Sequence, residues 1–347
     1  MIFSILCKKP YLQLAYQNVM LMRTVFAYLA ILCLMFTSCV QSECLLPLDT
    51  EIGFTALTGN STKALINDGV LSNASQFDVW GFYSGDGTFC EFDSESNPNF
   101  MNGLKMEWTA DALNSKQNAW RNRNNHYYYW PLSGKIGFYA LYPSGISGVQ
   151  IPEFKGKGIQ INNYKVDVTN KYSDLMYAYV VGNSHSNVLP IRFKHALSQI
   201  ELVLELEDAN SDADLYVTEI DIINVDLSAQ FNYVQTENAG SWSRNMDDPT
   251  ETIKYCDNNV LLTDVPLTYA TAMVVIPQEL KETALQIKYN LVSEGGNVIS
   301  GTLVKDISSL NDEWEMSTRY IYRLSFRIDE DNLIPSVNVA LSDIVSI

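Results

Sequence analysis

Residues 320–328, YIYRLSFRI, carry an aromatic or aliphatic side chain at every even position, and three of the four odd positions are polar. Successive side chains of a β-strand point to opposite faces, so this alternation predicts a strand with one buried and one solvated face. The same period of two recurs at residues 200–206, 272–276 and 285–291. Gly- and Asn-containing turns separate the alternating segments, as at residues 294–297. Many short strands between such turns predict an all-β chain made of β-sandwiches.

Length and charge limit the classes of protein that the chain can belong to. It has 347 residues and a formal net charge of −17, with 3 His and 6 Cys. Nucleic acid is disfavoured as a partner, because a phosphate backbone is bound mainly through Lys and Arg. Few His and scattered Cys leave little material for a metal site, and no fingerprint of a bound cofactor is present. We therefore expect no cofactor and no metal.

The length corresponds to about two domains. The polar segment 182–187 precedes the strand that contains Phe193 and is the expected boundary between them. The sequence thus predicts an N-terminal β-sandwich at residues 49–186 and a C-terminal β-sandwich at residues 187–332. Cys90 and Cys256 are one conceivable disulfide pair in an oxidising compartment.

The start of the sequence resembles a targeting signal. Arg23 is followed by an apolar run over residues 25–36, which is shorter than the roughly 20 residues that a membrane-spanning helix needs. The run ends in Thr37-Ser38-Cys39, an order that resembles a bacterial lipobox. In lipobox chemistry the Cys thiol receives a diacylglyceryl group, and cleavage makes this Cys the first residue of the exported protein.

We therefore expect a signal peptide at residues 1–38, lipidation at Cys39 and a lipidated linker at residues 39–48. Residues 1–21 fit a signal peptide poorly, so Met20 and Met22 are alternative translation starts. A lipid anchor places the chain at the outer membrane of the cell surface.

Four local signatures follow in a fixed order, and together they are more specific than any one of them. They are EIGFT at 51–55 with NSTKA at 60–64, FDVWGFY at 77–83, YYYWPLSGKIGFYALYP at 127–143, and DLMYA at 174–178 followed by IRFKHALSQI at 191–200. In this order they resemble the fimbrillin-like proteins of Gram-negative gut and oral anaerobes, which are subunits of type V pili. The resemblance implies two tandem transthyretin-like β-sandwiches, no enzymatic activity, and other pilus subunits as partners.

The resemblance also implies assembly by strand exchange. Proteolytic trimming of an N-terminal strand opens a groove, and a strand from a neighbouring subunit fills it. The trimming candidate is Lys63, although the family more often has Arg there. The donor candidate is the segment 333–347, whose apolar residues are expected on one face, interrupted only by Asp343. These residues are Val337, Val339, Leu341, Val345 and Ile347.

Two questions about the role of the chain stay open. Within a pilus the chain could be a stalk, anchor or tip subunit. It could instead be a monomeric surface lipoprotein that binds a glycan or a host protein, with Tyr127 and Trp130 as stacking residues, although strand aromatics more often fill a core.

The acidic spacing from Asp208 to Glu219 resembles a calcium loop, but Ala213 stands where Gly is needed, so a solvated turn is favoured. His195 has no partner signature for catalysis and is interpreted as structural.

Overall fold

The structure of the chain is a computed structural model, and one compact unit spans residues 51–347. It describes residues 51–58, 71–85, 100–110, 119–122, 127–150, 158–167, 173–183, 185–186, 188–207, 213–235, 238–244, 249–269, 272–329 and 332–347. All regular secondary structure within these ranges is β-strand, so the prediction of an all-β chain is confirmed.

Strands are numbered in chain order. The first nine are β1 (Phe54–Thr58), β2 (Phe77–Tyr83), β3 (Met101–Thr109), β4 (Ala119–Arg121), β5 (Ile136–Tyr142), β6 (Val149–Gln150), β7 (Gly158–Lys165), β8 (Met176–Gly182) and β9 (Leu189–His195). The next seven are β10 (Ser198–Leu206), β11 (Ala213–Val225), β12 (Ser228–Val234), β13 (Ala239–Ser243), β14 (Glu251–Cys256), β15 (Val260–Leu261) and β16 (Leu267–Thr268). The last seven are β17 (Met273–Val275), β18 (Gln278–Glu279), β19 (Ala284–Ser293), β20 (Val298–Asp306), β21 (Glu313–Trp314), β22 (Thr318–Asp329) and β23 (Ile334–Ser346).

Seven strands close into a barrel in the order β1-β4-β3-β2-β5-β8-β9. An apolar core fills it, and aromatic side chains dominate that core because each strand turns alternate residues inward. Phe54 meets Phe138 edge to face with ring centroids 5.1 Å apart, and Phe77 meets Phe193 in the same way at 5.3 Å. The core of the barrel therefore consists largely of packed aromatic rings from strands that are far apart in the sequence.

Two further sheets contain most of the later strands. One has the order β16-β10-β22-β23 and the other β14-β11-β19-β20. Inward residues of both sheets belong to one apolar core, as in a β-sandwich. The alternation that the sequence shows at β22 is observed directly, since Tyr320, Tyr322, Leu324 and Phe326 are buried. β22 runs parallel to β10, with Ile200 opposite Tyr320.

A four-stranded sheet, β13-β12-β7-β6, joins strands from early and late parts of the chain. β7 pairs antiparallel with β12 through partners that run from Ser228–Lys165 to Val234–Gly158. The expected boundary between residues 186 and 187 lies just before β9, and β9 pairs with β1 and β8 of the barrel. The division into sandwiches at 49–186 and 187–332 stays a prediction.

Cys256 is buried at the end of β14 and carries a free thiol. Cys90 lies outside the described residues. Cys256 contributes instead to the apolar core beside Tyr255 and Tyr269.

Candidate functional site: the barrel-closing strand and the last strand

β1 closes the barrel by pairing on both sides. It runs parallel to β9 from Phe54–Leu189 to Thr58–Phe193, and Phe54 also lies opposite Trp120 of β4. The side chains of Phe54 and Ala56 have no exposure to solvent. Removal of β1 would therefore uncover an apolar slot, and backbone groups would lose their partners along β9 and at Trp120 of β4.

The chain before β1 is also held in place. The Ile52 backbone N–H donates to the Tyr128 carbonyl at 2.7 Å, and the Leu189 N–H donates to the Gly53 carbonyl at 2.8 Å. Arg121 Nε lies 3.4 Å from the carboxylate of Glu51, and both side chains are largely buried. These contacts make residues 51–58 an integral part of the barrel wall.

Lys63 and Cys39, the predicted trimming and lipidation residues, lie outside the described residues. Within the described ranges no helix is long and apolar enough to cross a membrane. The relation of Lys63 to β1 follows from the sequence alone. Lys63 is C-terminal to Thr58, so cleavage there would separate all of β1 from the rest of the barrel.

β23, the donor candidate, pairs antiparallel with β22 along its whole length, from Asp329–Ile334 to Thr318–Ser346. Among the described strands it is the last in the order of its sheet, so its other side is a sheet edge open to pairing. Val337 and Ile347 are buried, while Val339 and Leu341 are half-buried against the core. The segment thus holds an apolar stripe at the margin of its own core.

A β-bulge interrupts β23 between Leu341 and Asp343. Leu341 lies opposite Tyr322, but Asp343 lies opposite Ile321, so Ser342 is the extra residue. Beyond the bulge Ile344 lies opposite Tyr320 and Val345 opposite Arg319. Pairing alone therefore puts Val345 on the face of Arg319, whereas burial still follows the odd positions, since Ile344 is 53% exposed and Ile347 is buried.

The aromatic pair named for glycan stacking is divided between core and surface. Trp130 is 8% exposed and packs edge to face on Phe138, with ring centroids 5.9 Å apart. Tyr127 is 56% exposed. Since a stacking platform must present a ring face to its ligand, Trp130 is placed as a core residue of the barrel.

His195 and Asp174 form a buried pair that the sequence analysis missed. The His195 ring nitrogen Nδ1 contacts Asp174 Oδ2, and both residues are at most 5% exposed. The Ser317 hydroxyl donates to the His195 carbonyl at 2.7 Å. The His195–Asp174 pair connects β9 to the segment before β8, and the Ser317 hydrogen bond connects β9 to the turn before β22. A buried polar pair of this kind is consistent with the structural role expected for His195.

Glu219, the last position of the calcium-like spacing, interacts with cations of its own chain. It contacts Lys288, and Lys254 Nζ lies 2.6 Å from Glu219 Oε2. These hydrogen bonds lower the pKa of the Glu219 carboxyl to about 2. Asp221 lies beside it, and burial followed by the charge of Glu219 raises the pKa of that carboxyl. In the described part of the chain no group of three or more His, Cys, Asp or Glu side chains could hold a metal ion.

Comparison with known proteins gives one family and several similar structures. A family model described as fimbrillin-like matches residues 62–343. The crystal structure of a fimbrial protein from Bacteroides vulgatus is similar at 14% identity and a TM-score of 0.59, covering 85% of this chain and 99% of that one. A candidate cell adhesion protein from Bacteroides ovatus is similar at 12% identity and a TM-score of 0.50, covering 86% of this chain and 98% of that one. Among curated proteins no relative matches. At these identities the solved structures show a shared fold and no more.

Proposed function

The chain belongs to the fimbrillin-like family, and we propose that it is a structural subunit of a cell-surface pilus, as stalk or anchor, assembled by strand exchange. Membership makes it a pilus-related surface protein of a structural family, so it is not an enzyme. The proposal further includes tandem transthyretin-like sandwiches, export as a lipoprotein acylated at Cys39, and trimming at Lys63. Two acyl chains suffice for stable anchoring to the outer membrane.

The observation that carries the proposal is the position of β1. It is the closing strand of the barrel, it contributes fully buried side chains, and it lies N-terminal to the trimming candidate. Loss of this strand would leave a slot that only another extended segment with alternating apolar residues could fill. At the position of Phe54 the slot would be flanked by Trp120 of β4 on one side and by Leu189 of β9 on the other.

The segment 333–347 supports the proposal from the donor side. In β1 and just before it, the buried residues Ile52, Phe54, Ala56 and Thr58 follow one another at a spacing of two. Val337, Val339 and Leu341 have the same spacing in β23. A fully extended segment lacks the bulge at Ser342, so Val345 and Ile347 would rejoin the face of Val337. Transfer into the slot would bury side chains that are only half-buried in the chain's own sheet.

A peptide complementation experiment tests the proposal. A chain that begins at residue 64 is expected to bind the dye ANS because the slot is open. A synthetic peptide of residues 333–347 is expected to reduce ANS fluorescence and to raise the unfolding midpoint of that chain, in proportion to its occupancy. A peptide with Val339→Asp is the matched control, since it places a charge in the slot. Equal effects of the two peptides, or no effect of either, would reject strand exchange through this segment.

A further inference from the structure

A cleft lies between the turn that joins β11 to β12, the end of β13 and the segment around β18. Its volume is about 320 Å³, at the lower end of the range for small-molecule sites. Its apolar part is formed by Ala229, Ile276 and Pro277. The remaining lining is polar or aromatic, and it comes from residues that are separated in sequence but adjacent in the fold.

Trp242 forms the aromatic wall of the cleft, and its position is fixed. Its indole Nε1–H donates to the Ala196 carbonyl at 2.7 Å. Its ring packs on Phe231 at 5.1 Å and on Tyr164 at 5.5 Å between centroids. The one polar atom of the side chain is thereby engaged inside the protein, so what Trp242 offers to the cleft is apolar ring surface.

Arg244 and Asp226 form the deeper polar side. Arg244 Nε lies 2.9 Å from Asp226 Oδ1, and the Asp226 side chain is 8% exposed. The Gln278 side chain forms hydrogen bonds with both the backbone N–H and the backbone carbonyl of Asp226. The Asp226 N–H donates to Gln278 Oε1 at 2.8 Å, and Gln278 Nε2 donates to the Asp226 carbonyl at 3.3 Å. The backbone of Asp226 is therefore held in place, and its largely buried carboxylate pairs with the partly exposed guanidinium of Arg244.

Lys281 and Glu279 form the outer rim, with Lys281 Nζ 2.5 Å from Glu279 Oε2 and both side chains about two-thirds exposed. The cleft thus contains two cations and two anions, each paired with its opposite. A charged ligand would have to compete with one of these internal pairs. A neutral ligand rich in hydroxyl groups can donate to the carboxylates and accept from the cations without breaking either pair.

We propose that this cleft binds a neutral pyranose sugar, with the C–H face of the ring against Trp242 and the hydroxyl edge toward Arg244 and Asp226. A pyranose combines an apolar face with a rim of hydroxyl donors and acceptors, which is the combination that this cleft offers. The site is remote in sequence from Tyr127 and Trp130, and it does not depend on strand exchange. A pilus subunit with this site would carry a sugar receptor on its own surface.

Saturation-transfer NMR on the purified full-length protein, in a sugar-free detergent, tests the proposal. The probes are glucose, galactose, mannose and N-acetylglucosamine at millimolar concentration, each as the free sugar and as its methyl glycoside. The methyl glycosides represent glycan ends and the free sugars represent metabolites. Glucuronate and N-acetylneuraminate are the charged comparison probes. We expect at least one neutral pyranose to bind, with the strongest saturation transfer at its ring C–H protons. Tighter binding of the methyl glycoside would identify a glycan end as the ligand, and tighter binding of the free sugar would identify a metabolite.

Two variants locate the binding. Arg244→Gln is expected to lower the affinity for the sugar by about tenfold, since hydrogen bonds to charged groups are stronger than hydrogen bonds between neutral groups. Trp242→Phe keeps an aromatic ring against Phe231 and is expected to lower the affinity for the sugar several-fold. Arg323→Gln, which breaks an Arg–Glu pair elsewhere on the surface, and Tyr127→Ala are the matched controls and should leave binding unchanged. Absence of binding by every neutral probe, a preference for the charged probes, or equal loss in Arg323→Gln and Arg244→Gln would overturn the proposal.

Discussion

Phe54 lies directly opposite Leu189 in the parallel pairing that joins β1 to β9. This pairing closes the barrel, and the Phe54 ring is fully buried against Phe138 and Phe77. Phe54→Ala is expected to lower the free energy of unfolding by about 3–5 kcal/mol, because it leaves a cavity in a packed aromatic core. Urea unfolding followed by tryptophan fluorescence measures the change.

Thr55→Ala is the control for Phe54→Ala, since Thr55 is half-buried and turned away from the barrel core. Its expected effect is below about 1 kcal/mol. Similar effects of the two substitutions would contradict the placement of β1 as the closing strand.

Val337→Ala and Ile344→Ala compare the two ends of β23. Val337 is 4% exposed and Ile344 is 53% exposed. Truncation of Val337 is expected to cost about 2 kcal/mol of unfolding free energy, whereas truncation of Ile344 should stay within about 0.5 kcal/mol. The measurement is equilibrium denaturation of the isolated subunit. An equal or larger cost at Ile344 would show that β23 does not pack on its own core as described.

Deletion of Ser342 separates pairing within the chain from donation to a neighbour. Ser342 is the extra residue of the bulge, so every cross-strand partner of β23 is kept when it is removed. The lost contact is the hydrogen bond from the Ser342 hydroxyl to the Ile321 carbonyl at 2.9 Å, and the stability of the subunit should change by no more than about 1.5 kcal/mol. In an extended donor strand the deletion moves Val345 and Ile347 to the opposite face, so polymer yield should fall.

Ser342→Ala is the matched control, because it removes the same hydrogen bond without shifting any later residue. It should polymerise like the unaltered chain. Polymer yield is measured by size-exclusion chromatography of trimmed subunits. Equal polymer yields of the deletion and the substitution would argue against residues beyond the bulge as part of the donor.

Glu219 gives the protein a pH-dependent contribution to stability. Hydrogen bonds from Lys254 and Lys288 lower the pKa of this carboxyl from 4.5 to about 2 in the folded protein. A group with a depressed folded pKa stabilises the fold above its unfolded pKa and loses that contribution as pH falls toward the folded value. Urea midpoints of the unaltered chain should therefore fall between pH 4.5 and about 2 more steeply than those of Glu219→Gln.

Glu294→Gln, in the exposed turn after β19, is the control and should keep the steep dependence. Asp221 acts with the opposite sign, since its pKa is raised by burial and by Glu219. A profile of Glu219→Gln that parallels the unaltered chain would show that the lysine contacts do not persist in solution.

Local periodicity predicted the strands but not their partners. The alternation at 320–328 correctly indicated β22, because side-chain direction in a strand depends only on neighbouring residues. Nothing in that pattern specifies that β22 lies parallel to β10 or that β9 joins β1, since those pairings depend on contacts between distant segments. The resemblance to fimbrillin-like proteins was carried by ordered motifs, and the family match over residues 62–343 confirms it.

Features of the candidate sites that depend on contacts between distant segments were not predicted, for the same reason. The bulge at Ser342 could not be anticipated, because one extra residue does not disturb the apolar alternation of the segment 333–347 as written. The pair of His195 with Asp174 joins β9 to the segment before β8, and the Trp242 cleft is lined by residues between 226 and 281. Such sites arise from tertiary packing and leave no spacing in the sequence by which to find them.

An immunoblot of the sheared surface fraction, run in SDS with and without boiling, tests strand exchange most directly. A subunit joined to its neighbours by a full strand should survive unboiled SDS as a ladder and collapse to one band on boiling. Deletion of residues 333–347 should abolish the ladder while the subunit still reaches the surface. A single monomer band in both lanes for the unaltered chain, or an undiminished ladder in the deletion, would contradict assembly through the last strand.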